Sequence, residues 1–350
     1  MPAVSDEAKA KPPAGAVMEN PHVATIADRV MVPGYRHTPG NHCGSTALRN
    51  LLAFHGVAIS EEMAFGLGAG ACFFYVAVEG QSPSRFTNGR AAKLEENFLE
   101  LTGTPLRLRT DDDPERSWQL ARELVDQGHP ALLLTDLYYL DHYGSSAHFP
   151  GHAVVLAGYD AEQAWLSDTG FEELQTTALE NLAKARHSKQ PVFRLEGHVI
   201  DLPEGVALDP ETLRKAAPRA IDRAATEMLE PSLGEYQGIP ALRRLADEVG
   251  GWPEDAEDWR WCARFLYQVI ERRGTGGGNF RRMYSRFLEE VGREEATLAA
   301  EAAERWTALA EAAREASEPE EPVPNLWSAI SGEARRVLDV EERLWTALRA

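Results

Sequence analysis

The stretch His37-Thr-Pro-Gly-Asn-His-Cys43-Gly-Ser-Thr-Ala-Leu-Arg-Asn-Leu-Leu-Ala-Phe-His-Gly56 decides how the first half of the chain is read. Leu48, Leu51, Leu52 and His55 recur at helical spacing, Pro39-Gly40 turns the chain in, and Gly56 stops it. The helix therefore starts at Cys43. Its thiol sits among unpaired backbone N–H groups at the positive end of the helix dipole, and both favour thiolate over thiol. A small buried cysteine on a core helix is the plainer reading of the same pattern.

A second stretch tips the balance. Gly151-His152-Ala-Val-Val-Leu-Ala-Gly-Tyr-Asp160 is followed by Ala164-Trp-Leu-Ser-Asp168-Thr-Gly170, which reads as a buried strand, a turn and a second strand closing on an aspartate. In an antiparallel pair the start of the first strand lies beside the end of the second, so His152 and Asp168 are expected to be neighbours. Cys43, His152 and Asp168 then supply a nucleophile, a base for its proton and a group that orients the imidazole. Taken singly, such a histidine is an ordinary core or surface residue and such an aspartate a turn former.

At these residues the chain resembles the BtrH-like proteins, named for a butirosin biosynthetic acyltransferase. The resemblance is carried by the Cys43 helix, the following Ile59-Ser-Glu-Glu-Met-Ala-Phe-Gly-Leu-Gly68 and the His152 strand. It implies a domain similar to papain-like and bacteriocin-processing cysteine peptidases. The segment Gly274-Thr-Gly-Gly-Gly-Asn-Phe-Arg-Arg-Met-Tyr-Ser-Arg-Phe-Leu288 resembles the helical domain that often follows it. The expected fold class is thus α+β: a flexible tail over 1–30, a papain-like domain over 31–200 and a mostly α-helical domain over 201–350. The activity implied is transfer of an acyl group from a carrier-protein thioester to an amine through an acylated cysteine.

Composition suits a cytoplasmic enzyme. The chain has 350 residues with 43% hydrophobic content, enough for two domains and a sizeable core. No apolar run has the length of a membrane span, and residues 1–20, rich in Ala, Pro, Lys and Glu, lack the apolar core of a signal peptide. Three scattered cysteines, Cys43, Cys72 and Cys262, suit neither a disulfide framework nor a zinc cluster, so no metal is expected. The net charge of −19 argues against nucleic acid as a partner, because phosphate neutralisation needs a basic face. It is also awkward for docking an acidic acyl carrier protein. Arg281 and Arg282, with Arg272, Arg273 and Arg286, are the candidate basic patch; a solvated helix surface is the alternative.

Along the first domain the patterns predict a Ser60-capped helix, a strand over 72–78, a helix over 93–101, a short strand over 106–109, a helix over 114–127 and a buried strand over 131–135. Residues 136–150 carry no periodicity. Tyr138, Tyr139 and Asp141 there are substrate-binding candidates on a loop that serves either as a lid or as a plain connector. A helix over 178–186 and a strand over 192–195 complete the domain. Helical patterns then run over 211–230, 239–249, 259–272, 280–291 and on to the end.

Two glycine clusters need separate treatment. Gly66-Leu-Gly-Ala-Gly70 follows a helix, which is the wrong context for a dinucleotide fingerprint. Gly274-Thr-Gly-Gly-Gly278 leads into a helix and could hold a phosphopantetheine phosphate or simply link helices; it lacks the Lys-Ser/Thr ending of a P-loop. The mechanism expected is covalent acyl transfer to a small-molecule amine, with no cofactor beyond a phosphopantetheine arm on the donor. Cys43 attacks, His152 moves the protons and Asp168 orients it. The Cys43 N–H and a side chain from the preceding loop would hold the oxyanion. Papain-like enzymes usually place a glutamine there; this chain has His37, with Asn41 and His42 nearer. A cysteine peptidase, amidase or thioesterase, or a non-catalytic binding protein, is the alternative.

Overall fold

The structure is a computed structural model that describes residues 29–190, 193–203 and 209–349. All but the last two residues of the expected N-terminal tail lie outside the described residues. The chain is α+β. Strands β1 (Val30–Met31), β4 (Arg107–Arg109), β5 (Ala131–Asp136), β6 (Pro150–Tyr159), β7 (Gln163–Ser167), β8 (Gln175–Ala178) and β11 (Val199–Asp201) form one antiparallel sheet, ordered β4-β11-β5-β6-β7-β8 with β1 also on β6. Two hairpins stand apart, β2 (Ala71–Ala77) with β3 (Arg85–Arg90), and β9 (Lys189–Gln190) with β10 (Phe193–Arg194).

Side chains alternate across a strand, so each sheet face builds its own layer. Leu132, Leu134, Ala153 and Val155 face α1 (Cys43–Phe54), α2 (Glu61–Leu67) and α3 (Leu94–Thr102). Ala131, Leu133, Val154 and Leu156 face α4 (Pro114–Asp126) and α5 (Leu179–Arg186) on the other side. With both faces covered, β5 and β6 read as continuous apolar runs rather than alternating ones. This is why periodicity found them but could not find β3, whose Arg-Phe-Thr-Asn-Gly-Arg sequence is too polar to register, or the short strand β11.

The helical half comprises α6 (Pro210–Arg214), α7 (Ala217–Leu229), α8 (Gly238–Glu248), α9 (Trp252–Asp255), α10 (Trp259–Glu271), α11 (Arg281–Glu290), α12 (Ala296–Ala316) and α13 (Pro324–Arg349). The single helix expected over 211–230 is in fact two, because Pro218 lacks the N–H that a helix interior needs and sits instead in the first turn of α7. Residues 296–349 likewise divide, with Pro324 opening α13. One continuous core joins the inner face of the sheet, α1 to α3, the β2–β3 hairpin and α7 to α13. The two halves are therefore not packed as separate cores. No helix among the described residues is long and apolar enough to cross a membrane.

The joint corrects one expectation. Arg281, a proposed docking residue, is fully buried. Its guanidinium grips Glu341 through Nε and Nη2 at 2.8 and 2.9 Å and donates to the carbonyls of Cys72 and Gly89 at 3.0 and 3.3 Å. Trp306 and Trp345 add indole N–H donors to the same carboxylate, each at 2.6 Å. The charge that looked like surface in the sequence thus bonds the hairpin to α13. Arg282 is half-exposed but bonded to Thr307 at 3.0 Å and paired with Glu304 at 3.4 Å, and Arg286 meets Glu62 at 3.0 Å.

Candidate active site

Cys43 is the first residue of α1, and that helix is held by the apolar positions that predicted it: Leu48, Leu51 and Leu52 are completely buried against the sheet. The turn before it is organised by Glu61, a buried carboxylate in the first turn of α2. Glu61 accepts the N–H groups of Asn41 at 2.8 and 3.0 Å and of His42 at 2.7 Å, the Asn41 amide at 3.2 Å and the Thr46 hydroxyl at 3.1 Å. His42 caps α1, its Nδ1 accepting the Ser45 N–H at 3.3 Å. Among the described residues neither the Cys43 nor the Gly44 N–H donates to a protein acceptor, which leaves two amides at the helix N-terminus for an oxyanion.

His152 and Asp168 come together as the strand reading anticipated. His152 is the third residue of β6, with Thr135 opposite it on β5, and the Thr135 hydroxyl donates to the His152 carbonyl at 2.9 Å. Asp168 follows β7 directly. His152 Nε2 lies 3.0 Å from both carboxylate oxygens of Asp168, so Nδ1 is the nitrogen left for the thiol. The Cys43 thiol lies close enough to this imidazole for each to shift the other's proton affinity. All three side chains are buried, with Asp168 fully so.

The electrostatics of this trio are coupled. Burial disfavours the His152 cation, but the charge and hydrogen bond of Asp168 and the adjoining Cys43 thiol outweigh it and lift the imidazole well above its ordinary value. Burial would push the Cys43 thiol up; the hydrogen bond and charge of His152, helped by the charge of Arg90, bring it below. Burial would likewise raise Asp168, yet the His152 cation and hydrogen bonds from two histidines hold it well below the carboxylate range. The Cys43 and His152 shifts both act in the direction of a thiolate–imidazolium pair. The other thiols go the opposite way, with burial pushing Cys72 up to about 12 and also raising Cys262.

Two partners of Asp168 were not identified as site residues from the sequence. His142 donates from Nε2 at 2.9 Å and the Tyr143 hydroxyl at 3.0 Å, both from the aperiodic loop before β6. Only their place among the loop's aromatic and polar residues hinted at them. The residues singled out on that loop lie elsewhere. Asp141 accepts the Ala178 N–H at 2.7 Å, the Thr177 hydroxyl at 3.0 Å and the Asn181 amide at 2.6 Å, which fastens the loop to the start of α5. Tyr138 is partly exposed, stacked on His148 at 4.1 Å, with Tyr139 edge-on to it at 5.0 Å.

The three oxyanion candidates are also redistributed. His37 donates from Nε2 to the Phe171 carbonyl and takes the Ser167 hydroxyl on Nδ1, both at 2.7 Å, so it braces the segment around Asp168 and has no free donor. The Asn41 amide is committed to Glu61. His42 Nε2 has no partner among the described residues, but its ring is wedged edge-on between Phe65 and Phe280, each 5.6 Å away, and burial holds it well below the ordinary histidine value. The glycine run touches the site from the helical half: a Cβ at Gly274, where φ is +70°, would stand 2.7 Å from the Asn41 carbonyl. Its role in the structure is to let the two halves approach at the turn before Cys43.

This arrangement predicts a specific reactivity. Iodoacetamide alkylation of Cys43 should be fast at neutral pH and follow a thiol pKa below the ordinary one. His152→Ala should remove the cation and raise that pKa, leaving burial unopposed except by Arg90. Alkylation profiles that coincide in the two proteins would refute the pairing.

Residues 42–169 match the family described as butirosin biosynthesis protein H, N-terminal, and residues 180–348 match a domain of unknown function, DUF4872. The first match contains Cys43, His152 and Asp168. No curated protein matches the chain.

Proposed function

Because the chain belongs to the BtrH-like family, we propose that it is a cysteine-dependent acyltransferase that carries an acyl group from a thioester to an amine. The observation that carries this reading is the buried Cys43–His152–Asp168 set with its thiol lowered and its imidazole raised. A helix-borne cysteine beside a histidine on one strand and an aspartate just past the end of the adjacent antiparallel strand also supports a papain-like arrangement.

The chemistry closes on these groups. The Cys43 thiolate adds to the thioester carbonyl, and the Cys43 and Gly44 N–H groups hold the oxyanion. On collapse the bond to the donor sulfur breaks, and the His152 imidazolium gives that sulfur its proton. The neutral His152 then takes a proton from the amine as it attacks acyl-Cys43. Collapse now breaks the bond to Cys43 and restores the thiolate–imidazolium pair. The group needed on the donor is the thioester itself, on a small molecule or on the phosphopantetheine arm of a carrier protein. The paired and buried arginines of α11 offer such a carrier no free basic face.

Intact-mass spectrometry of the protein incubated with a panel of acyl-coenzyme A and acyl-carrier thioesters tests the reading. The expected result is one acyl adduct on Cys43 that an added amine discharges as an amide. An adduct that yields only free acid in the presence of amine would replace transfer with hydrolysis. No adduct with any donor would overturn the acyl-enzyme itself.

A further inference from the structure

Glu95 is a buried carboxyl beside the nucleophile that the chemistry above does not use. It stands in the first turn of α3 and is 6% exposed, comparable with 9% for Cys43. Its side chain lies directly against Gly44: a Cβ there would overlap the Glu95 carboxylate and come within 3.2 Å of His42 Cε1. Any side chain at Gly44 would fill this place, which borders the two N–H groups assigned to the oxyanion. Among the described residues the Glu95 carboxyl makes no hydrogen bond to another residue. Near it the His42 Nε2 is buried and has no hydrogen-bond partner among the described residues.

Resting on the acyl-transfer reading, we propose that Glu95 is the site that receives the acceptor amine, binding it as an ammonium ion and taking its first proton. Most aliphatic amines are protonated at neutral pH and cannot attack a thioester in that form. A proton moves from R–NH3⁺ to the Glu95 carboxylate, giving R–NH2 and a neutral carboxylic acid. The free amine attacks acyl-Cys43, and His152 takes the second proton as the C–N bond forms. The C–S bond breaks, and Glu95 returns its proton to solvent. Burial raises the proton affinity of Glu95 above an ordinary glutamate's, with Arg90 and His152 opposing this and Glu96 reinforcing it; the same environment suits a base that must accept a proton from an ammonium ion.

The experiment uses the full-length protein loaded with p-nitrophenyl acetate, followed by discharge of acetyl-Cys43 with butylamine, which is cationic at pH 7, or hydroxylamine, which is neutral there. In Glu95→Gln we expect loading within about twofold of wild type, discharge by butylamine at least tenfold slower with a raised KM, and discharge by hydroxylamine almost unchanged. Glu95→Asp should recover part of the butylamine rate. A purely structural role would slow loading or both discharges together, and equal butylamine rates in wild type and Glu95→Gln would also overturn the assignment. A wild-type protein that acetylates at Cys43 but discharges only to water refutes acyl transfer, and with it any amine site. One that transfers normally while Glu95→Gln matches it refutes Glu95 alone.

Discussion

Cys43→Ala is expected to abolish acyl loading and turnover while leaving the fold intact. Removing the nucleophile of a covalent mechanism takes away the step itself, and in comparable triads the loss in kcat is on the order of a millionfold. The structural cost is small because the side chain is short and lies in the first turn of α1, whose attachment to the sheet rests on Leu48, Leu51 and Leu52. The melting temperature should move by no more than a few degrees, corresponding to roughly 1 kcal/mol or less. Cys72→Ala and Cys262→Ala should keep most of the activity, since burial raises both thiols away from reactivity. Equal loss of activity in a well-folded Cys72→Ala protein would assign the nucleophile to the wrong thiol.

The largest effect on stability is expected from Arg281→Ala. It would leave the fully buried Glu341 carboxylate without its cation, and the carbonyls of Cys72 and Gly89 without a donor. Breaking one side of a buried pair costs about 3–5 kcal/mol, against a total stability of about 5–15 kcal/mol for an ordinary domain. Arg281→Ala should therefore melt far below wild type or fail to accumulate. Arg282→Ala, half-exposed and on the same helix, should shift stability by about 0.5 kcal/mol or less. Thermal denaturation of the two variants is the check. Similar melting temperatures for both would show that the buried network does not hold the hairpin to α13.

The helix carrying Cys43, the strand carrying His152 and the strand that Asp168 follows were legible because each depends on local pattern. Apolar residues at helical spacing and a turn before Cys43 placed the thiol at a helix start, and an apolar run opened by His152 with a second run closed by Asp168 implied an antiparallel pair. That geometry alone set the two side chains side by side, and the structure separates them by 3.0 Å. Periodicity had no purchase on residues 136–150, so it could not tell that His142 and Tyr143 meet Asp168 while Asp141 turns toward α5. The hairpin strand β3 escaped because its Arg-Phe-Thr-Asn-Gly-Arg sequence carries no apolar alternation to read.

Local pattern was enough for the elements around the site and for the chain order Cys43, His152, Asp168, because hydrophobic spacing and turn residues act over a few positions. Only the tertiary structure decided what each charge meets. Arg281 looked like a docking residue and is a buried brace; His37 looked like an oxyanion donor and holds the segment around Asp168. Glu61 and Glu95, ordinary acids at the starts of two helices, both reach the chain around Cys43, Glu61 at the His42 N–H and Glu95 at Gly44. The reason is that a charge's role depends on desolvation and on the groups within a few ångströms of it, and for a buried charge those groups come from elements far apart in the chain.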